Sequence, residues 1–266
     1  MFPCHPETIL SREPLQWGRD FCRCAVSFLE DADTSPTYKL ALCAWVRRDA
    51  RLALAKMNRE WQKLAGGALW VSQGFSACRL LILNYLTVNL PARVQDYAGE
   101  EGIDSLRAKM DFLQNLLEEM QADMEARPFP LTALRGALSC LERRGLDADT
   151  FTLAKKAPLS VYILPYTTGH GPGMYLRDLH AMLLFGCPSG ARERETVVLH
   201  EMGHALLANL LRQGPGAAWG TGLPEPLKGA ALALTAKSGS GLSLQEGKGA
   251  EGFCHNFVRT VQGEGP

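Results

Sequence analysis

Apolar positions recur with helical spacing through the first half of the chain. This pattern predicts helices over residues 11–30, 36–64, 69–89 and 101–126. The last of these is the most regular, since its apolar residues step by three and four in alternation. Such an a/d seam predicts that the helix packs lengthwise against a neighbouring helix. The seam consists of Ile103, Leu106, Met110, Leu113, Leu117, Met120 and Met124.

The pattern changes at residues 127–130 (Arg-Pro-Phe-Pro), because two prolines so close together do not fit within a helix. We therefore predict an α+β fold in which a helical N-terminal region, residues 1–127, precedes a second domain, residues 128–266. A Gly/Ser-rich stretch, 238–249, is predicted to be a mobile loop. The other elements predicted for the second domain are helices over 131–144, 191–212, 224–236 and 250–261 and strands over 159–164, 174–176 and 181–185.

Charge and hydropathy exclude several classes of partner. Lys and Arg together number 28, as do Asp and Glu, so no net charge attracts nucleic acid or an anionic membrane. The basic face of the 36–64 helix is therefore interpreted as a solvated surface rather than a phosphate site. No uncharged apolar run reaches the length of a membrane span. We expect neither a nucleic-acid partner nor a membrane partner.

The eight cysteines are scattered, and no CxxC pair is matched by a second one as a zinc ribbon would require. Several lie within apolar helical stretches, where free cysteine is a small core residue. The first residues lack the basic and apolar regions of a signal peptide. Free thiols without an export signal predict a cytoplasmic protein.

The clearest chemical signal is His200-Glu201-Met-Gly203-His204, within the apolar helix predicted over 191–212. Residues four apart lie on one face of a helix, so both imidazoles can reach one ion. Glu201 projects beside them, where it can accept a proton from a water that zinc activates. Gly203 keeps the backbone bare beside the expected metal position.

The competing interpretation is a buried helix whose two histidines are satisfied by carbonyl groups. Such a core is costly, because each buried polar group needs its own partner. The zinc interpretation is therefore favoured.

Catalytic zinc normally takes three protein ligands, so one is still missing. The third histidine of the metzincin spacing is absent, because Leu210 stands in its place. The third ligand must come from further along the chain. Four candidates remain open at this point: Glu225, Glu246, Glu251 and His255.

The segment that begins at Glu251 resembles the ImmA/IrrE-like family of bacterial and phage metallopeptidases, whose third ligand lies in a helix of the form E-x-x-A-N-x-F-A. Glu251, Cys254 and Phe257 agree with that form, whereas His255 replaces the family's asparagine. The resemblance spans roughly residues 130–260. It implies a zincin-like domain with Glu251 as third zinc ligand, and strand 181–185 as the substrate-binding edge strand.

The predicted function is zinc-dependent peptide hydrolysis, with Glu201 as general base and Zn²⁺ on His200, His204 and Glu251. The resemblance implies limited cleavage of a protein partner, such as a transcriptional repressor. One alternative is a zincin-like sensing or partner-binding module without catalysis. Another is a helical interaction protein, in which residues 1–127 carry the function and no stoichiometric zinc is bound.

Overall fold

The computed structural model describes residues 5–96, 100–122, 127–153, 157–186, 190–214, 222–237 and 248–263. Within these ranges, eight α-helices and one five-stranded mixed sheet confirm the predicted α+β class. None of the helices in the same ranges combines the length and the hydropathy that a membrane crossing requires.

The chain forms two compact units. The first comprises Met1–Trp61, Ser72–Met124 and Leu164–Gly169, and the second comprises Gln62–Val71, Glu125–Ile163 and His170–Pro266. Two short segments, 62–71 and 164–169, therefore belong to the unit on the other side of the predicted division near residue 127.

The first unit is helical, and local signals in the sequence set where its helices begin. Ser35 accepts a hydrogen bond from the backbone N–H of Tyr38, and Glu13 caps the first helix in the same way. A proline follows each cap, at the position that tolerates it best. The helices are α1 (Pro14–Glu30), α2 (Pro36–Lys56), α3 (Gly74–Asn89) and α4 (Glu100–Glu119).

The predicted seam is confirmed within α4, since its residues from Ile103 to Leu117 are buried. The helix ends at Glu119 rather than at residue 126, so Met120 is buried just beyond it. Met124 lies outside the described residues. Helix α4 packs along α1. A methyl group on Gly18 of α1 would lie 2.8 Å from the Leu117 side chain, so the glycine permits the close approach of the two helices.

Residues 57–73 contain a hairpin where the hydropathy pattern predicted helix. Strands β1 (Gln62–Leu64) and β2 (Leu69–Gln73) pair antiparallel. Gly66 and Gly67 form the turn with φ angles of 65° and 100°, which glycine adopts without strain. The helices predicted over 36–64 and 69–89 are therefore wrong in this segment: α2 ends at Lys56 and α3 begins at Gly74.

The second unit combines the sheet with four helices, close to the predicted bounds. The sheet order is β1-β2-β3-β5-β4, with β5 parallel to β3 and antiparallel to β4. The remaining elements are α5 (Leu131–Arg143), β3 (Leu159–Ile163), β4 (Gly173–Leu176), β5 (Ala181–Leu184), α6 (Ala191–Gln213), α7 (Glu225–Lys237) and α8 (Lys248–Gln262). The loop predicted over 238–249 lies almost entirely outside the described residues.

The predicted edge strand is an inner strand. All four residues of β5 are buried, and the strand lies between β3 and β4. A continuous apolar run is typical of a strand covered on both faces. The edge at this side of the sheet is β4, whose first three residues are only partly buried.

Helix α6 lies at the centre of the second unit, where it packs against α5, α7, α8, β4 and β5. Eleven of its residues are buried, from Val198 to Leu210. This packing fixes both the axial position and the rotation of the helix that carries the His-Glu-x-x-His motif.

Candidate metal centre

Helix α6 presents His200 and His204 one turn apart on the same side. Their Nε2 atoms are 3.2 Å apart, and the ring centroids are 4.9 Å apart. Each side chain keeps about a fifth of its surface exposed, 22% for His200 and 20% for His204. Both coordinating nitrogens therefore face one point that solvent can reach.

Helix α8 brings the carboxylate of Glu251 to the same point. Its Oε2 lies 3.2 Å from Nε2 of His200, and its Oε1 lies 3.3 Å from Nε2 of His204. Among the four candidates for the third ligand, the structure thus places Glu251 against both histidines.

These separations suit a metal ion held by the three side chains. Tetrahedral zinc with bonds of about 2.0–2.1 Å has ligand atoms about 3.3 Å apart. The separation of 3.2 Å between the two imidazole nitrogens agrees with that value, and the Glu251 carboxylate meets the two histidines through different oxygens, at 3.2 and 3.3 Å. Two imidazoles and a carboxylate are also a typical catalytic zinc set, although other divalent transition metals accept the same ligands.

The position of α8 follows from its amphipathic sequence. Phe253, Phe257 and Val261 are buried on one side of the helix, as predicted. Gln262 near the end of α8 donates a 2.8 Å hydrogen bond to Thr196 near the start of α6. The two helices therefore run antiparallel, and Glu251 comes to lie beside the histidine turn.

Gly203 has a role that the sequence did not show. A methyl group on this residue would lie 3.2 Å from the Cα atom of Cys254 and 3.3 Å from its sulfur. The bare backbone therefore permits the close approach of α8, rather than only clearing the metal position. Since α8 carries Glu251, this glycine helps to position that carboxylate beside the two histidines.

Glu201 lies on the other side of the motif, beneath the edge strand β4. It is 7% exposed, and a methyl group on Gly173 of β4 would lie 2.9 Å from its Oε1 atom. Burial, and then the charge of Glu251, raise the pKa of Glu201 to about 8. A cation among the three ligands would favour its ionised form.

The electrostatics also suit His200 as a ligand. Burial, and then the neighbouring His204 ring, lower the pKa of His200. The neutral imidazole keeps the lone pair that metal coordination needs.

Two further side chains border the centre. The sulfur of Cys254 lies within 4.8 Å of the coordinating atoms of His200 and His204, and a ring nitrogen of His255 lies within 4.8 Å of those of His200 and Glu251. Cys254 is buried, whereas His255 is exposed and contacts the backbone carbonyl of Glu251 through Nδ1 at 2.8 Å. Cys254 was expected only as a small residue of this helix, so the position of its sulfur beside the two histidines is a finding of the structure.

The other candidate ligands are placed differently. The Glu225 side chain is 82% exposed and forms a 3.2 Å ion pair with Lys228. Glu246 lies outside the described residues.

Three polar residues that precede the motif in the chain carry groups that can donate to an oxyanion when they lie beside it. His180 is buried, with Nε2 2.6 Å from the carbonyl of Phe151 and Nδ1 2.8 Å from the hydroxyl of Tyr175. His170 is exposed in a loop. Tyr166 belongs to the first unit, where its hydroxyl donates to Glu13.

Comparison of the chain with protein-family models, with curated proteins and with solved structures found no match. The interpretation of the centre therefore rests on its own residues, and two imidazoles with a carboxylate beside both of them could hold a divalent metal ion.

Proposed function

We propose that the chain is a zinc-dependent peptidase with a zincin-like second domain, related to the ImmA/IrrE-like metallopeptidases that its motifs resemble. The observation that carries this proposal is the convergence of the His200 and His204 imidazoles and the Glu251 carboxylate, whose closest atoms lie 3.2–3.3 Å apart. Glu201, buried beside them, supplies the fourth functional group.

The proposed chemistry assigns one task to each side chain. His200, His204 and Glu251 would hold the zinc ion, which when bound would supply the Lewis acidity that lowers the pKa of a water molecule toward neutrality. The Glu201 carboxylate accepts the proton of the attacking water and later delivers it to the leaving amine nitrogen. Glu201 follows His200 directly in α6, and its carboxyl group lies close enough to Glu251 for that charge to raise its pKa.

The proposed substrate is an extended peptide that pairs with β4. Among the described strands, β4 has a neighbour on one side only, β5. The Gly173 backbone of β4 lies directly against the carboxyl group of Glu201. Pairing to this edge would hold a peptide backbone beside the general base. Edge pairing with the substrate is therefore assigned to β4 and not to strand 181–185, which lies inside the sheet.

The partner is proposed to be a protein that undergoes limited cleavage, such as a transcriptional repressor. This part rests on the resemblance alone, because the same fold supports many substrates.

The test compares Glu201→Gln with the unaltered protein. The variant should bind zinc with unchanged stoichiometry and lose at least about 10³-fold in cleavage of a fluorogenic peptide library. Glu142→Gln, an exposed residue of the same unit, is the matched control and should retain activity. Undiminished cleavage by Glu201→Gln would disprove the proposed mechanism.

The second candidate function is a non-catalytic zinc module that senses or binds a partner. Cys254 and His255 favour it, because either lies close enough to supply a fourth ligand after a small movement. Zinc-edge X-ray absorption separates the two. A sulfur atom or a third imidazole in the coordination sphere would favour the closed module, whereas a water oxygen would favour the peptidase.

A further inference from the structure

Helix α2 of the first unit has two opposite faces that both follow a heptad pattern. One face is buried and consists of Leu40, Cys43, Val46, Ala50 and Ala53. The other is exposed along its whole length. Its members, here called the outer seam, are Tyr38, Ala41, Trp45, Arg48, Leu52 and Ala55.

The outer seam has the composition of a contact surface rather than of a solvated face. Tyr38, Trp45 and Leu52 are 59%, 44% and 53% exposed, and they lie seven residues apart. An exposed helix face is normally polar, and aligned large apolar residues mark interaction sites. Since 17 residues separate its ends, the seam is about 26 Å long.

The outer seam is complementary to itself when two copies run antiparallel. In that arrangement the a positions of one helix face the d positions of the other. Tyr38 then faces Ala55, and Leu52 faces Ala41, so that each large side chain meets a small one. Such alternation of large and small residues is what interdigitated packing requires.

The residues at the centre of the antiparallel pair are also complementary. Trp45 faces Arg48 of the second copy, where a guanidinium can stack on the indole ring. Arg48 keeps an acidic neighbour in its own chain, because its Nε and Nη2 atoms lie 3.3 Å from Oδ1 of Asp49. This neighbour reduces the repulsion between the two Arg48 side chains of a pair.

The aromatic residues are held in place before any pairing. The ring of Tyr38 contacts Phe28 with centroids 6.2 Å apart, and the ring of Trp45 contacts His5 at 5.8 Å. Ordering a side chain on association carries an entropic cost, which these contacts reduce.

We propose that the outer seam of α2 is a dimerisation surface, on which a second copy of this chain pairs antiparallel through its own α2. The two-fold axis passes between the Trp45–Arg48 layers, as an isologous interface requires. A parallel pair would instead stack Trp45 on Trp45 and Arg48 on Arg48. This inference does not depend on the proposed peptidase function.

Sedimentation equilibrium of the full chain tests the association. We expect a monomer–dimer equilibrium with a dissociation constant on the order of 10 µM, as suits an interface of one helix from each copy. Leu52→Glu and Trp45→Glu should each weaken it at least tenfold. Val88→Glu is the matched control, because Val88 is also 53% exposed but lies on α3. A monomer at all concentrations, or a dimer unaffected by both seam variants, overturns the proposal.

Cysteine cross-linking tests the orientation. The A41C/L52C variant should form a covalent dimer under mild oxidation, with a 41–52 linkage in the mass spectrum of its peptides. The A55C variant should form no 55–55 linkage, because the antiparallel pair holds the two positions about 26 Å apart. A 55–55 linkage would show parallel pairing and overturn the proposal. Circular dichroism confirms that each variant remains folded.

Discussion

Two buried side chains of the first unit and the candidate centre of the second unit differ in how their polar groups meet. In the first unit, donors meet acceptors: Lys39 donates to the carbonyl of Leu29 at 2.6 Å, and Asn89 donates to that of Tyr85 at 3.2 Å. In the second unit, three groups rich in lone pairs face one another at 3.2–3.3 Å. A donor paired with its acceptor can be buried in a core without a further partner. A cluster of acceptor groups is instead stabilised by a cation between them.

We expect the largest effect when one of the converging side chains of the candidate centre is removed. Replacement of His204 by Ala removes one of three protein ligands and should weaken zinc binding on the order of 10³-fold. The helix should persist, because its stability comes from the buried apolar side of α6. Isothermal titration with zinc measures the affinity. An unchanged affinity would contradict the assignment of His204.

His180 should make a large contribution to the pH dependence of stability. It is buried, and both of its ring nitrogens have hydrogen-bond partners. Burial holds its folded pKa at about 4, against 6.5 when it is accessible. Its neutral form is therefore fully compatible with the fold above pH 6.5. As the pH falls from 6.5 toward 4, the unfolded chain takes up a proton that the folded chain does not, and stability falls by about 3 kcal/mol.

Urea denaturation across this pH range checks the effect. His180→Asn is the comparison, because asparagine tolerates the positive φ of 46° at this position and does not titrate. The stability of the two proteins should diverge above pH 4 and level off above pH 6.5. Parallel curves would show that His180 does not contribute.

A substitution at the contact between α6 and α8 should have a smaller effect on zinc affinity. Gly203→Ala should push Cys254 outward by a few tenths of an ångström and displace Glu251 with it. We expect a loss of about 1–3 kcal/mol in stability and roughly 10–100-fold in zinc affinity.

Gly252→Ala on α8 is the matched control, because a methyl group there meets no atom within 4 Å. It should leave zinc affinity unchanged and raise stability by about 0.5–1 kcal/mol. Equal effects of the two substitutions on zinc affinity would show that helix packing at Gly203 does not position Glu251.

The smallest effect concerns the paired polar groups of the first unit. Lys39→Met should leave the carbonyl of Leu29 without this donor and lower the free energy of unfolding by about 2 kcal/mol. Zinc affinity should not change. Lys56→Met is the control, since Lys56 pairs with Glu7 at the surface and should contribute less than about 1 kcal/mol. Chemical denaturation with zinc titration reads out both quantities.

Much of the fold was predictable, because the periodic apolar positions of a helix with one buried face can be recognised in a single sequence. Helices α1, α5, α6 and α8 lie close to their predicted bounds, whereas α4 begins as predicted but ends at Glu119 rather than at residue 126. The hairpin over 62–73 was not predictable, since Leu69, Trp70 and Val71 are all apolar and show no alternation between apolar and polar residues. Strand order was equally hidden, because it depends on pairing between distant segments.

Some residues of the candidate centre could also be predicted from the sequence, and others could not. Helix geometry alone places His200, His204 and Glu201 together, since they lie within one turn. Glu251 follows 47 residues after His204, and residue pattern left it level with three alternatives until the resemblance favoured it. The role of Gly203 required the structure, because it depends on which helix packs against that position.

The most direct test is zinc-edge X-ray absorption on the purified chain, with metal analysis of the same sample. We expect one zinc per chain, two imidazoles, and oxygen ligands that include a carboxylate lost in Glu251→Gln. Absence of stoichiometric zinc, or a coordination sphere unchanged by Glu251→Gln and by His204→Ala, would contradict the assignment.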